Sequence, residues 1–487
     1  MEDKDTMSLL SELRDTFKSG KTKSLEWRKT QLQALSNMVE HQEKLCFQAL
    51  FDDVGKGKLE AYKDEVGPTK KTIDYALSNL KKWMAPKKAG LTLLLLPSKA
   101  EIIPEPYGLV LILTSWNYPF DLALEPLIGA IAAGNVVVIK PSELAPATSS
   151  FLANTIPQYM DNAAIKVIEG GPEASQQLLQ QKWDKIFYTG SPKIGRIVMT
   201  EAAKHLTPVV LELGGKCPMI FDYSTISSNL KVALRRLISA KWGVCCGQAC
   251  VAIDYVLVEE KFASSLVDLL KVIIRKVYGD NIESLANLSR IVNKRHFDRV
   301  CSFLKDPMVA ASVVHGGSYN EKNLVIEPTI LLDPPLDSAV MNEEIFGPIL
   351  PIITLKNIEQ SIDFINMRPK PLALYAFTLN EALKTRIVSE TSSGSVTFND
   401  VLIQYVCDEL PFGGVGQSGM GRYHGKYSFD AFSHEKAVLH RGYYPDLSMR
   451  YPPWNAFKME FCRLGYSMDY LNLILHLLGL RKYPKDD

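Results

Sequence analysis

The sequence predicts an α/β fold with parallel sheets, and three observations lead to this expectation. Between about residues 108 and 215, continuous apolar runs typical of buried strands alternate with helical segments. A second α/β stretch runs from about residue 229 to residue 379. Polar residues and glycines directly follow several of these strands, and parallel sheets bind ligands at the carboxyl ends of their strands. We therefore expect two α/β halves with a ligand site at a sheet edge.

The chain begins with a helical region. Residues from about 8 to 85 have apolar and polar residues at helical spacing, and Gly and Pro are scarce there. The next segment, 91–108, reads LTLLLLPSKAEIIPEPYG and contains three prolines. Because proline is confined to edge strands and bulges, this segment is predicted to form an excursion or an edge ribbon.

The first α/β stretch is predicted to contain five strands and four helices. Starting with a strand, their approximate ranges are 108–116, 119–134, 135–143, 147–160, 164–170, 172–181, 185–190, 191–205 and 207–215. The residues that follow the strands are the best candidates for a ligand site. They are Trp116 and Asn117, Lys140 to Glu143, Gly170 and Gly171, Gly190 to Gly195, and Glu212 to Gly215.

The second α/β stretch carries an unusual cysteine segment, GVCCGQACVA, at 243–252. Helices are predicted at 229–243 and 262–279, and strands at 254–260, 323–332, 349–355 and 371–379. The turn-rich segment 408–429 is the most glycine-dense part of the chain.

Composition limits the classes of function. Lys and Arg number 55 against 54 Asp and Glu, so the net charge of +1 gives no reason to expect nucleic acid as a partner. The eight cysteines in 487 residues are too sparse for a disulfide-scaffolded secreted domain. The acidic N-terminus lacks the apolar run of a signal peptide, so the expected compartment is the reduced cytosol.

Metal binding and the glycine motif are both weakly supported. Cys246 and Cys250 are four residues apart, but no second Cys or His pair has matching spacing, and we expect no metal site. The segment GVGQSG, 414–419, satisfies the dinucleotide fingerprint only formally. Pro411 precedes it where a strand is required, so a loop is the better interpretation.

Two strand ends could contact a nucleotide. Ser191 opens a helix after a strand, where free backbone N–H groups could bind phosphate, although a simple helix cap explains it equally well. Lys140 or Glu143 could hydrogen-bond ribose hydroxyls, or the two could form an exposed charge pair beside a turn.

The cysteine segment could also supply a catalytic nucleophile. Cys245, Cys246 and Cys250 cannot all be activated, and the residues alone do not choose among them. Glu212 could serve as a base, and Asn117 could donate its amide N–H to a developing oxyanion.

Seven motifs, in this order and spacing, resemble the aldehyde dehydrogenase superfamily. They are SWNYPF, IKPSE, FYTGSPKIG, LELGGK, GQAC, EEIFGPILP and PFGGVGQSGMG. The last motif and the short N-terminal lead resemble the class 3 branch, and the chain is most similar to its plant cytosolic type. The resemblance covers about residues 8 to 450.

The resemblance implies an aldehyde dehydrogenase-like α/β fold with three parts. These are a Rossmann-like NAD domain with a five-stranded sheet, an α/β catalytic domain, and a small β oligomerisation arm. The expected bounds are 1–85 and 104–211 for the dinucleotide-binding domain, 212–392 for the catalytic domain, 86–103 and 393–445 for the bridging arm and active-site loops, and 446–487 for a partly helical tail.

The resemblance also implies roles for the catalytic residues. Cys250 attacks the aldehyde to give a thiohemiacetal, and Asn117 with the Cys250 backbone N–H forms the oxyanion hole. Hydride transfer leaves a thioester, and Glu212 activates the water that hydrolyses it.

The implied cofactor site draws on several motifs. Lys140 and Glu143 match positions that contact the adenosine ribose, and Ser191 matches a pyrophosphate position. Glu344 and Phe346 match residues that place the nicotinamide ribose and ring. We also assign Trp116, Gly190 and Gly195, which follow strands, to this site. A carboxylate at Glu143 would favour NAD, although NADP remains possible.

The expected activity is NAD(P)-dependent oxidation of medium or long aliphatic, or aromatic, aldehydes to carboxylic acids, as in aldehyde detoxification. A cytosolic homodimer is expected. Two alternatives are an acylating enzyme that passes the acyl group to coenzyme A, and a non-catalytic protein that keeps the fold. Glu212 argues against the first, and the joint presence of Asn117, Glu212, Cys250 and Glu344 argues against the second.

Two local questions remain open. Cys245 and Cys246 are either inert small hydrophobes or partners of Cys250 under oxidation. The apolar C-terminal helix around Leu471 and Leu478 is too short to span a membrane. It either packs on protein or makes weak membrane-surface contact, helped by Arg481, Lys482 and Lys485.

Overall fold

The computed structural model describes residues 3–92, 95–279 and 288–481. The chain divides into two compact units. One unit comprises Met1–Met84 and Glu105–His434, and the other comprises Ala85–Pro104 and Glu435–Asp487. The finer domain bounds stay a prediction.

The N-terminal region is helical, as predicted. Its helices are α1 (Asp3–Lys18), α2 (Leu25–His41), α3 (Glu43–Val54), α4 (Lys58–Ala61) and α5 (Gly67–Met84). A π-helical turn at Tyr62–Val66 joins α4 to α5. Two strands come next in the chain, β1 (Lys87–Lys88) and β2 (Lys99–Pro106), and they pair antiparallel, as expected for an edge ribbon.

The first sheet has five parallel strands. They are β3 (Leu109–Leu113), β4 (Val136–Lys140), β5 (Ile165–Val167), β6 (Lys185–Gly190) and β7 (Val209–Leu213). The intervening helices are α6 (Asp121–Ala133), α7 (Pro146–Tyr159), α8 (Pro172–Leu179) and α9 (Pro192–Ala203). Every residue of β3 and β4 is buried, because helices cover such a sheet on both faces. The predicted alternation is therefore confirmed.

The strand order of this sheet is β7-β6-β3-β4-β5, and one further strand lies against β7. That strand, β17 (Gly419–Met420), comes from the glycine-dense segment and runs antiparallel to β7, with Gly419 opposite Glu212. It was not predicted, since two residues carry no periodic signal.

The second sheet has seven strands. They are β8 (Pro218–Phe221), β9 (Tyr255–Glu259), β10 (Val313–His315), β13 (Thr329–Leu332), β14 (Ile349–Leu355), β15 (Ala373–Phe377) and β16 (Ser395–Phe398). Their order in the sheet is β10-β13-β14-β9-β8-β15-β16. All neighbouring pairs are parallel except β10 with β13. The helices of this half are α10 (Leu230–Lys241), α11 (Glu260–Tyr278), α12 (Lys294–Lys305), α13 (Pro307–Ala310), α14 (Ala339–Asn342), α15 (Gln360–Asn366) and α16 (Glu381–Glu390).

The prediction of one strand over 323–332 is wrong. Its first part, β12 (Val325–Ile326), pairs with β11 (Tyr319–Asn320) in a separate two-stranded ribbon, whereas its second part is β13 of the large sheet. Pro328 lies between the two parts, and a proline has no N–H with which to continue a ladder.

The chain ends with α17 (Lys426–Ala431), β18 (Ser433–His440), α18 (Ala456–Tyr466) and α19 (Tyr470–Leu477), and β18 neighbours β2 in a three-stranded sheet. Helices α18 and α19 share a small core of Phe461, Leu464 and Leu473. The apolar face that contains Leu471 and Leu478 is exposed. Lys482 and Lys485 lie outside the described residues. No described helix meets the length and hydropathy needed to cross a bilayer.

Candidate active site

A cavity of about 210 Å³ lies at the carboxyl ends of β3, β6 and β7. Its walls are Ser115, Trp116, Asn117, Thr189, Gly190, Ser191, Glu212, Leu213, Gly214, Cys250, His296, Arg299, Glu344 and Phe346. Eight of the eleven site residues predicted from the sequence are in this wall, which makes the cavity the candidate active site.

The turn before Cys250 contains three consecutive residues with positive φ. Cys245, Cys246 and Gly247 have φ angles of 45°, 54° and 78°, and side chains other than glycine rarely adopt such values. At Gly247 a Cβ atom would lie 2.5 Å from the carbonyl oxygen of Gly347, so glycine is required there. Backbone strain of this kind is maintained only where surrounding contacts determine the conformation.

The buried amide of Gln248 supplies those contacts. Its Nε2 donates to the carbonyl oxygens of Cys245 at 2.9 Å and Arg290 at 3.0 Å. Its Oε1 accepts a hydrogen bond from the Val292 N–H at 3.1 Å. The turn is thereby fixed from inside the protein, two residues before Cys250.

Only one of the three neighbouring thiols lies in the cavity wall. Cys250 is half-buried, whereas Cys245 and Cys246 are buried, and all three are free thiols. Burial raises the pKa of Cys250 to about 12, and the charges of Glu344 and Glu212 add to this effect. The backbone N–H groups of Cys250 and Val251 act in the opposite direction. The group is therefore a protonated thiol near neutral pH, and reaction requires its activation.

Glu212 is a buried carboxyl group near the end of β7. Neither of its oxygens has a hydrogen-bond partner among the described residues, and burial raises its pKa well above the ordinary value. Gly413 packs against it, since a Cβ atom there would lie 3.2 Å from Oε1. A carboxylate in such surroundings binds a proton more strongly than an exposed one, which makes it a stronger base.

Asn117 links the end of β3 to the cysteine turn. Its Nδ2 donates to the carbonyl oxygen of Gln248 at 2.9 Å, and the side chain is buried. An amide nitrogen carries two hydrogens, so Asn117 can keep this bond and donate a second one to a ligand.

The loop after α14 supplies Glu344 and Phe346. The Gly215 N–H donates to Glu344 Oε1 at 3.0 Å, and burial raises the pKa of this carboxyl to about 8. Gly214 has to lack a side chain, because a Cβ atom there would lie 2.2 Å from Glu344 Oε2. The ring of Phe346 meets Trp116 edge to face, with the ring centroids 5.4 Å apart.

Three predicted residues lie outside the wall. Lys140 Nζ and Glu143 Oε2 pair at 2.6 Å at the end of β4, with Lys140 buried and Glu143 exposed. Gly195 allows α9 to pack closely on β7, since a Cβ atom would lie 2.8 Å from Leu213 Cδ2. Ser191 is in the wall and is also the cap of α9, because its Oγ accepts the Ile194 N–H at 3.4 Å.

His296 and Arg299, both on α12, were missed by the sequence analysis. Arg299 donates to the carbonyl oxygens of Glu344 at 3.2 Å and Ile345 at 2.7 Å, and so holds the Glu344 loop. Burial, together with Arg299 and Arg295, lowers the pKa of His296 to about 4, which makes it a neutral ring. Their spacing of three residues places them on one helix face, and this is the signal that could have found them.

The wall has features that fit a dinucleotide. The N-terminus of α9 presents backbone N–H groups after Ser191, and such termini bind phosphate. Thr189 Oγ1 is buried and has no partner among the described residues. Across residues 3–92, 95–279 and 288–481, no cluster of three or more His, Cys, Asp or Glu side chains could hold a metal ion.

Comparison with known proteins agrees with this arrangement. The model of the aldehyde dehydrogenase family matches residues 2–438. Aldehyde dehydrogenase family 3 member F1 of Arabidopsis thaliana is 60% identical over 97% of this chain and 98% of its own length. Family 3 member A2 of Rattus norvegicus is 46% identical over 93% and 92% of the two chains. The substrate-bound structure of Staphylococcus aureus AldH superposes with a TM-score of 0.91 at 42% identity, covering 95% of this chain and 99% of that one.

The chain belongs to the aldehyde dehydrogenase family. The names of these relatives confirm the class 3 resemblance. The protein is an NAD(P)-dependent aldehyde dehydrogenase, and the Rossmann-like fold expected from the motifs is confirmed by the superposition.

Proposed function

We propose that this enzyme oxidises aldehydes through covalent attachment to Cys250. The observation that supports this most directly is that the Cys250 thiol, the Asn117 amide and the Glu212 carboxyl line one cavity. In the first step the sulfur bonds to the carbonyl carbon and forms a thiohemiacetal. The carbon then loses hydride and is left as a thioester, which water cleaves to the acid and the free thiol.

Asn117 and the Cys250 backbone N–H are proposed to stabilise the oxyanion of these steps. The bond from Asn117 to the Gln248 carbonyl fixes the amide beside the cysteine turn before substrate arrives. Preorganised donors of this kind lose no binding energy to reorganisation during the reaction.

Glu212 is proposed to accept the proton of the hydrolytic water. Its carboxyl oxygens are buried without partners among the described residues, so they are available to hydrogen-bond a water molecule. This feature favours hydrolysis over acyl transfer to coenzyme A, which needs no such base. Adding coenzyme A should therefore leave the rate of NADH production unchanged.

NAD is the proposed cofactor, with NADP possible. When bound, it accepts the hydride from the thiohemiacetal carbon. Ser191, Gly190 and the N-terminus of α9 would hold its phosphates, and Trp116, Glu344 and Phe346 would hold the nicotinamide end. Lys140 and Glu143 would contact the adenosine ribose, with the Glu143 carboxylate at 38% exposure favouring a free 2′-hydroxyl.

The remaining proposals follow the family resemblance. The substrates are medium or long aliphatic, or aromatic, aldehydes, and the enzyme removes reactive aldehydes in the cytosol. It acts as a homodimer, with 86–103 and 393–445 contributing the arm. Residues 1–85 and 104–211 bind the dinucleotide, and 212–392 carry the nucleophile.

The identity of the nucleophile is tested by single replacements of the three clustered cysteines. We expect Cys250→Ala to abolish aldehyde-dependent NADH production. Cys245→Ala and Cys246→Ala should retain turnover, because neither side chain is part of the cavity wall. Loss of activity in either of these two variants while Cys250→Ala stays active would reverse the assignment.

A further inference from the structure

Among the charged residues of the segment from Lys56 to Glu65, three contact the backbone around the active site and have no role in the proposed reaction. Lys56 and Glu65 are fully buried, Glu60 is half-buried, and none of the three lines the cavity. Burying charge costs free energy unless each group is paired and hydrogen-bonded. The partners of these residues therefore indicate what the segment does.

Lys56 and Glu65 hold the backbone at Asn117 and directly after it. Lys56 Nζ donates to Glu65 Oε1 at 2.5 Å and to the carbonyl oxygen of Asn117 at 3.0 Å. It also lies 3.7 Å from the ring centroid of Tyr118. Glu65 Oε2 accepts the N–H groups of Phe120 at 2.9 Å and Asp121 at 3.2 Å, where α6 begins.

Glu60 holds the cysteine turn. Its Oε1 accepts the N–H of Cys245 at 2.9 Å, and its Oε2 accepts the hydroxyl of Ser289 at 2.7 Å. Cys245 is the first of the three residues with positive φ. The same turn ends in the Gln248 carbonyl that receives the Asn117 amide. The segment from Lys56 to Glu65 thus contacts both the backbone after β3 and the cysteine turn, which the Asn117 side chain connects.

A π-helical turn at Tyr62–Val66 lies in this segment, where Glu60 contacts the cysteine turn and Glu65 contacts the start of α6. An extra residue in a helical turn shifts the side chains that follow it, and such turns are frequent at functional sites. Here it separates Glu60, which contacts the cysteine turn, from Glu65, which contacts the start of α6.

We propose that Lys56, Glu60 and Glu65 are positioning residues that set the Asn117 amide against the Cys250 sulfur. This proposal rests on the oxyanion role given to Asn117 above. The three residues contact the backbone of 117–121 and of the cysteine turn, and none of them lines the cavity. Their loss should therefore slow the chemical steps without weakening cofactor binding.

A double-mutant cycle with Asn117→Ala tests this coupling. One oxyanion donor is typically worth about 10²–10³ in rate, and we expect Lys56→Met to lose roughly tenfold or more in kcat. In the Asn117→Ala background the same substitution should cost less than about threefold, because the amide it positions is already absent. The KM for NAD should stay unchanged in both backgrounds.

Stability is followed in parallel, since removing one partner of a buried pair can unfold a protein. If Lys56→Met is unfolded, Glu60→Gln provides the same cycle, because its partly accessible carboxyl group is the easier one to replace. Lys185→Met is the matched control. It removes another buried lysine, at the end of β6 that lies away from the cavity, and it should leave kcat unchanged.

The outcomes are distinct. A loss of kcat that disappears in the Asn117→Ala background supports the proposal. An equal loss in both backgrounds, or a fall in melting temperature with normal kcat, overturns it while the proposed function stands. Normal turnover of Asn117→Ala itself overturns both the oxyanion role and the positioning role.

Discussion

The Cys250 thiol lies at the cavity wall, while Cys245 and Cys246 are 0% and 1% exposed in the core. All three side chains have the same chemistry, so their surroundings decide which one reacts. The two buried thiols lie at positions where φ is positive, in the turn that precedes Cys250. At the residue scale, the reactivity of Cys250 depends on the carboxyl groups of Glu344 and Glu212, because their charges raise the pKa of its thiol.

We expect Glu344→Gln to accelerate alkylation of Cys250 by iodoacetamide at about pH 9.5, where a Glu344 carboxyl group with a pKa raised to about 8 is ionised. Burial raises the pKa of Cys250 to about 12, and the negative charge of Glu344 is the next largest contribution. Removing that charge lowers the pKa and increases the thiolate fraction by roughly three- to tenfold. The rate is measured by mass spectrometry of the peptide that contains Cys250.

The exposed neighbour Glu343 provides the matched control for this experiment. Glu343→Gln should leave the alkylation rate unchanged. Equal acceleration in both variants would show that the effect is not local to the Glu344 carboxyl.

At the element scale, the glycine-dense segment completes the wall around Glu212. Its strand β17 pairs with β7, with Gly419 opposite Glu212. Gly413 comes so close to the same region that a Cβ atom there would lie 2.3 Å from the Gly421 carbonyl oxygen and 3.2 Å from Glu212 Oε1. The absence of a side chain at Gly413 therefore leaves room for the Glu212 carboxyl group.

Gly413→Ala should lower both stability and turnover. Forcing an extra methyl group into a packed site typically costs about 1–3 kcal/mol, and here it displaces backbone that adjoins Glu212, the proposed base. The measurements are the urea unfolding midpoint and kcat. Gly90→Ala is the control, because nothing lies within 4 Å of a Cβ atom there. A normal Gly413→Ala enzyme would contradict the close packing.

The accuracy of the sequence-based predictions followed the length and regularity of each element. The apolar runs of β3 and β4 were correctly predicted because both faces of those strands are buried. The four-residue strands β8 and β16 were too short to show a period. For the site, the ordered motifs selected Glu212 and Cys250, and the structure has both in one cavity wall. The motifs could not identify Arg299, whose contact with the Glu344 loop depends on how α12 packs.

At the scale of the whole molecule, the buried Glu212 carboxyl group makes the free energy of unfolding depend on pH. Its pKa is raised by burial alone, so the folded state keeps a proton that the unfolded chain releases above about pH 4.3. The favourable contribution is complete below the unfolded pKa and is lost as pH rises towards the folded pKa. The free energy of unfolding should thus fall with pH because of this one group.

We expect Glu212→Gln to become more stable relative to the native protein as pH rises from 5 to 8. Glutamine does not ionise, so the variant lacks the decrease in the free energy of unfolding that the native carboxyl group causes as pH rises. The difference in unfolding free energy is measured in urea at several pH values, with the exposed Glu12→Gln as control. A difference that does not change with pH would contradict a raised pKa at Glu212.

The most direct test of the mechanism follows single turnovers of Glu212→Gln. With NAD and a medium-chain aldehyde, stopped-flow absorbance should show a rapid burst of about one NADH per active site, followed by very slow turnover. Mass spectrometry of the quenched protein should find the acyl group on Cys250. Steady turnover without a burst, or an acyl group on another residue, would contradict the division of work between Cys250 and Glu212.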